Sequence, residues 1–283
     1  MNRLSTERRA MIVRALVEGN SIRATCRMTG AAKGTVLKLL ADLGTACAAY
    51  HDEHVRHLTT VTDVQCDEIW SFCHAKAKNV PREKRGVYGY GDVWTWVALC
   101  SDTKLAVSWL VGERNARYAR IFMTDVASRL AGRIQLTTDG LFIYRGAVAS
   151  AFGRDIDYAQ LVKLYGEAGN PERRYSPPEF VRATPERVVG NPRTAKVSTS
   201  YVERQNLTMR MSMRRFTRLT NGFSKKVENL EHAVALHFMH YNFARIHGST
   251  RVTPAMEAGV TDRLWSVEDL VGLIESGPAE KDS

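Results

Sequence analysis

The sequence predicts an α/β protein: a mixed sheet flanked by helices, preceded by an all-α unit at the N-terminus. Three observations carry that prediction. Apolar residues recur at helical spacing through roughly the first forty positions, and from about residue 63 they give way to short strand-length runs that alternate with helical stretches. Of 283 residues, 44% are hydrophobic and 25% charged, an ordinary globular composition that supplies a full core and excludes wholesale disorder. The longest strongly apolar stretch, Val93 to Cys100, is far too short to cross a bilayer, and Met1 to Glu7 lack the apolar run of a signal peptide. A soluble cytoplasmic chain without a membrane partner is therefore expected.

Residues 5–18 place apolar groups at 12, 13, 16 and 17 after a Ser/Thr start, and Gly19-Asn20 end this first helix. Ser21 opens a second short helix through Met28, Gly30 supplies a turn, and a third helix runs to Leu43-Gly44. Three short helices with a glycine turn before the last make a helix-turn-helix over 1–45, with Lys33, Thr35 and Lys38 on the helix that would enter the major groove. A linker helix is expected over 46–62. Its His51, His54 and His57 follow Cys47 at helical spacings, but nothing nearby supplies the surroundings of a structural zinc site, so a solvated histidine-bearing linker is the expectation.

Three strands then form an antiparallel meander: Val64–Phe72, Val93–Cys100 and Leu105–Val111, the middle one apolar at both parities and so covered on both faces. A helix over about 115–130, a strand 133–138, a helix to about 151 and a strand near Tyr158–Leu164 follow. Residues 170–199 hold five of the eight prolines, so no regular element is expected there. Residues 201–219 and 224–245 read as long basic helices, Ser266 caps a last short helix, and 276–283 read as a frayed tail.

The formal charge is +10, and its distribution is uneven. Residues 1–38 hold eight Lys/Arg against two Glu, and 204–226 hold seven with no acid, which leaves the rest of the chain net negative. Basicity in two places beside an acidic remainder suits a protein that holds polyphosphate next to a site needing carboxylates. Within 204–226, Arg210 lies seven residues after Glu203 and so shares a helix face with it, while Arg214, Arg215, Arg218, Lys225 and Lys226 extend the positive surface. The stretch Lys76, Lys78, Arg82, Lys84 and Arg85 adds to it. Five cysteines with no C-x-x-C pair imply reduced thiols, neither a disulfide framework nor a cysteine zinc cluster. No phosphate-binding glycine loop and no supported Ser-His-Asp or Cys-His set is present, so neither a nucleoside triphosphate nor a covalent nucleophile is expected.

An acid inside an otherwise apolar strand needs compensation, and Asp67 is such a residue. Asp139 sits where a strand ends and Gly140 lets the chain turn; Glu203 opens the helix after the proline-rich segment. Three carboxylates separated by 72 and 64 residues can converge only through the tertiary fold, and together they form an oxygen-ligand set that hard divalent ions accept. Asp63, Glu68, Asp92 and Asp102 compete for the first position, and strand parity does not choose between Asp67 and Glu68.

The runs Asp67-Glu68-Ile69-Trp70, Thr138-Asp139-Gly140 with Tyr144, and Tyr201-Val202-Glu203-Arg204-Gln205-Asn206 resemble the three acidic blocks of bacterial insertion-sequence transposases of the DDE type. Asn221 to Lys225, Tyr241 to His247 and Thr253 to Met256 are similar to that family's closing blocks, so the resemblance spans about residues 5–260. It implies an RNase H-like catalytic domain over 63–260, shared with retroviral integrases, followed by a C-terminal helix and tail at 261–283. It selects Asp67 over Glu68 and implies Asp67, Asp139 and Glu203 as catalytic metal ligands for two Mg²⁺ or Mn²⁺ ions. The implied reaction cleaves the element's ends and joins their 3′-hydroxyls to target DNA in the nucleoid, on double-stranded DNA, as a homodimer or higher oligomer. Related elements often carry a cysteine zinc ribbon ahead of the helix-turn-helix, which this chain lacks. A metal-dependent nuclease without joining, and a helix-turn-helix regulator or inactive remnant, are the alternatives.

Overall fold

The computed structural model describes residues 4–166, 180–217 and 220–275. The chain begins with α1 (Thr6–Val17) and α2 (Ile22–Thr29), capped by the side chains of Ser5 and Ser21, and Gly30 ends α2 in the left-handed region at φ 68°. α3 (Lys33–His54) follows and is a single helix of 22 residues. The helix expected to stop at Leu43-Gly44 and the linker expected after it are one element, and the boundary placed at residue 45 falls inside it. Gly44 is no helix stop. It is a contact residue, since a Cβ there would lie 2.4 Å from the Cβ of His232 and 2.5 Å from its Cα.

The sheet contains β1 (Asp63–Cys73), β2 (Gly91–Cys100), β3 (Ala106–Gly112), β4 (Gln135–Asp139), β5 (Asp157–Tyr165) and β6 (Phe180–Val189), in the order β3-β2-β1-β4-β5-β6. β1, β2 and β3 form the antiparallel meander, while β4 joins β1 in parallel and β5 joins β4 in parallel. The crossovers carry α4 (Ala116–Arg129) and α5 (Ile143–Phe152). Beyond β6 come α6 (Ser200–Ser212), α7 (Val227–Met239) with a π-helical turn to Ala244, then α8 (Pro254–Glu257) and α9 (Val267–Gly272), the last closed by a Ser266–Asp269 capping box.

Strand alternation divides the core. On one face Val64, Cys66, Trp96 and Ala98 pack with Phe122, Tyr144 and Val148 of α4 and α5; on the other Ile69, Val97 and Leu99 pack with Val202 and Met209 of α6 and Leu230, Val234 and Phe238 of α7. The N-terminal helices belong to the first of these cores: Ile12, Val13, Val36, Leu40 and Leu43 are continuous with it. Ion pairs from Arg9 to Glu275 and from Arg14 to Glu268 tie α1 to α9 and the residues just after it.

Two further expectations differ from what is observed. β6 runs through part of the segment expected to lack regular structure, and Pro185 pairs with Leu161 of β5. β6 is the last strand of the sheet and largely exposed, and proline, which donates no ladder hydrogen bond, is tolerated at such an edge. Pro171, Pro177 and Pro178 lie outside the described residues, as do residues 276–283. The basic helix expected over 201–219 ends at Ser212, because Met213 turns extended at φ −133° and, with Phe216, enters the core beneath α7.

Candidate metal and phosphate site

β1 is the backbone of the site. Gln65, Asp67 and Ile69 point to the α6 face, and Cys66 and Glu68 to the α5 face. Gln65, almost fully buried, accepts hydrogen bonds from the N–H groups of Tyr201 (2.9 Å) and Val202 (3.2 Å), which satisfies the start of a helix whose own cap residue, Thr199, makes no side-chain cap bond. One turn on, Asn206 donates to Asp67 Oδ2 at 2.8 Å. These two contacts hold α6 against β1 with Glu203 between them.

Asp139 ends β4 beside β1. Its Oδ1 accepts from the Leu141 N–H at 3.0 Å and so makes the turn, while Oδ2 lies 3.8 Å from an Arg114 nitrogen. One side chain performs the turn role and also adds charge to the site. Asp67, Glu68 and Asp139 each place a carboxylate oxygen within 4.8 Å of the others. Glu68 enters this group from the α5 face, where its carboxylate meets the Arg114 Nε at 2.9 Å and lies beside the buried Tyr144 phenol. The Arg114 guanidinium stacks 4.8 Å from the Trp94 ring. Glu203 is not in that group; it pairs with Lys163 and accepts from the Thr199 hydroxyl at 2.6 Å.

Burial, then the negative charge of Asp139 and of Glu203, pushes the Asp67 carboxyl up to about 6. Burial, then Asp139 and Asp67, pushes Glu68 up to about 7 against the lowering effect of Tyr144 and Arg114. Three hard oxygen donors within 4.8 Å of one another are a donor set that a divalent cation suits, and it would relieve their mutual repulsion. Asp67 lies on the α6 face with Glu203, whose negative charge helps to raise it.

The cationic candidates separate by position. Lys33 and Thr35 are exposed at the start of α3; Lys38 is exposed and paired with Asp42 at 2.7 Å. Arg210 is half-buried in the last turn of α6, on the Glu203 face and about 10.5 Å along the axis from it. Arg214, Lys225 and Lys226 are exposed. Arg215 instead turns inward to donate to the Ser224 hydroxyl, and burial lowers its guanidinium to about 10. Arg218 lies outside the described residues. Lys76, Lys78, Arg82, Lys84 and Arg85 are exposed on the turns between β1 and β2.

Among the described residues the histidine segment gathers no metal-binding group. His51 is buried rather than solvated, its Nε2 3.2 Å from the Ala106 carbonyl and its ring against Trp109, and burial lowers it to about 3. His54 stacks on Tyr50.

Four residues of the site were not singled out by sequence: Gln65, Asn206, Arg114 and Lys163. The first two carried a signal. Gln65 is a polar residue two before Asp67 on the same strand face, and Asn206 lies three after Glu203 on the same helix face.

No family model matches the chain, and no curated protein matches it. Among solved structures, the chain is similar to the crystal structure of the Mos1 strand transfer complex, at 11% identity and a TM-score of 0.25, over 84% of this chain and 76% of that one.

Proposed function

We propose that this chain is a metal-dependent DNA transposase of the DDE type, with an RNase H-like catalytic domain and an N-terminal helix-turn-helix. The observation that carries the reading is the meeting of Asp67, Glu68 and Asp139 where β1 and β4 lie side by side, with α6 docked so that Glu203 bears on Asp67. The mixed sheet, an antiparallel meander continued by two parallel strands, supports the RNase H-like class. The exposed, glycine-preceded start of α3 supports the helix-turn-helix.

Asp67, Asp139 and Glu203 would hold Mg²⁺ or Mn²⁺. Two such ions, when bound, supply activation of the attacking water or 3′-hydroxyl and stabilisation of the leaving oxygen. The remaining work falls to the chain. Gln65 and Asn206 orient α6, Arg114 restrains Glu68 and Asp139, and Arg210, Arg214, Lys225 and Lys226 attract phosphate. Exchange of one phosphodiester for another needs no nucleoside triphosphate. Pairing of two element ends calls for at least a dimer.

A strand-transfer assay with oligonucleotides from the element's flanking repeats tests the reading. Asp67→Ala, Asp139→Ala and Glu203→Ala should each reduce cleavage and joining by at least about 100-fold, a loss of some 2.7 kcal/mol, while duplex binding persists. Wild-type joining by Asp67→Ala would transfer the first position to Glu68. Cleavage without joining in the wild type would favour the nuclease.

A further inference from the structure

A groove of about 860 Å³ separates the N-terminal helices from the segment that follows α6. Arg23 and Arg27 of α2 and Lys33 of α3 line one wall; Arg214, Arg215 and Lys225 line the other. Among the described residues no carboxylate lines it. Arg23, Arg27, Lys33, Arg214 and Lys225 are exposed and have no acidic partner among the described residues, whereas nearby Arg9, Arg14 and Lys38 are all paired. Gathering like charges around one concavity costs stability unless an anion occupies it. The two basic segments, far apart in sequence, thus meet as facing walls.

We propose that this groove holds one phosphodiester strand of duplex DNA, gripped from one side by α2 and from the other by Arg214, Arg215 and Lys225. The inference rests on the transposase reading and adds a shared grip to it. Lys33 belongs both to the groove and to the exposed start of α3, where Ala32, Gly34 and Thr35 put little bulk between the backbone and whatever lies beside it. A ligand with closely spaced phosphates flanking readable base edges fits that combination. Arg214 stands two residues past Ser212, so the groove begins at the C-terminal end of the helix that carries Glu203.

The test is fluorescence anisotropy with the full chain, in EDTA, on a duplex of about 30 base pairs, roughly three helical turns. The same strand as single-stranded RNA is the second probe. Arg23→Ala/Arg27→Ala and Arg214→Ala/Lys225→Ala should each lower the slope of log affinity against log salt by about 2, near one unit per lost phosphate contact. The control Arg8→Ala/Arg154→Ala removes two exposed cations elsewhere and should leave the slope within about 0.5. Equal slopes for groove and control pairs would overturn the groove while leaving duplex binding, and with it the transposase reading, intact. Tighter binding of the RNA by the wild type, lost in both groove pairs, would overturn the DNA assignment. Absence of any duplex binding by the wild type would overturn the transposase reading itself.

Discussion

Asp67 and Glu68 are neighbours that reach one cluster from opposite faces of β1, and both carboxyls are raised. The sign of the consequence follows from linkage. A folded acid with a raised pKa keeps its proton where the unfolded chain has released it, so stability is fully present below about pH 4 and is lost as pH rises through the folded values near 6 and 7. In EDTA, the melting temperature should fall between pH 5 and 8, and Asp67→Asn, which stays neutral throughout, should flatten that fall. An equal fall in the variant would mean that other groups carry it. Adding Mg²⁺ at pH 8 should recover the loss in the wild type. At this scale the sequence exposed Asp67, because an acid in an apolar strand is conspicuous, and left Glu68 open, because the strand is apolar on both faces. Arg114 and Lys163 were not legible: their roles depend on a loop and a strand that only the folded sheet brings near.

The elements were legible wherever apolar periodicity and caps agreed, as in α1, α2, α4 and the meander. They were misread where one residue type serves two purposes. Gly44 reads as a helix stop, but it permits α3 and α7 to touch. Gly44→Ala should force the helices apart, since the obstructing atoms include the His232 backbone, at a cost of about 1–3 kcal/mol visible as a lower urea midpoint. A neutral result would show that α3 and α7 slide easily. The break in α6 was hidden for a related reason. Basic composition and helix propensity continue past Ser212, but Met213 and Phe216 are drawn into the core, and tertiary burial outweighs local preference.

Across the whole molecule, the sequence suggested separable recognition and catalysis, because the charge is divided between segments. The packing joins them: Val36, Leu39, Leu40 and Leu43 of α3 lie in the same core as the sheet. Burial of these four is worth about 1.5–3 kcal/mol each, which together rivals the stability of an entire domain. Deleting residues 1–45 should therefore unfold the remainder, with loss of cooperative melting by circular dichroism and rapid proteolysis. A truncated chain that melts cooperatively would restore the modular view. Such packing is invisible in sequence, since an amphipathic helix shows that it has a buried face without showing what covers it.

Pro185 also bears on the behaviour of the protein in solution. β6 is exposed at the rim of the sheet among the described residues, and an exposed rim strand is a template for strand addition between molecules. A proline there interrupts that template, so a residue that reads as a loop former acts as a guard against strand addition between molecules. Pro185→Val should leave melting nearly unchanged, within about 0.5 kcal/mol, yet should raise light scattering on concentration. Unaltered scattering would locate the protection elsewhere along the strand.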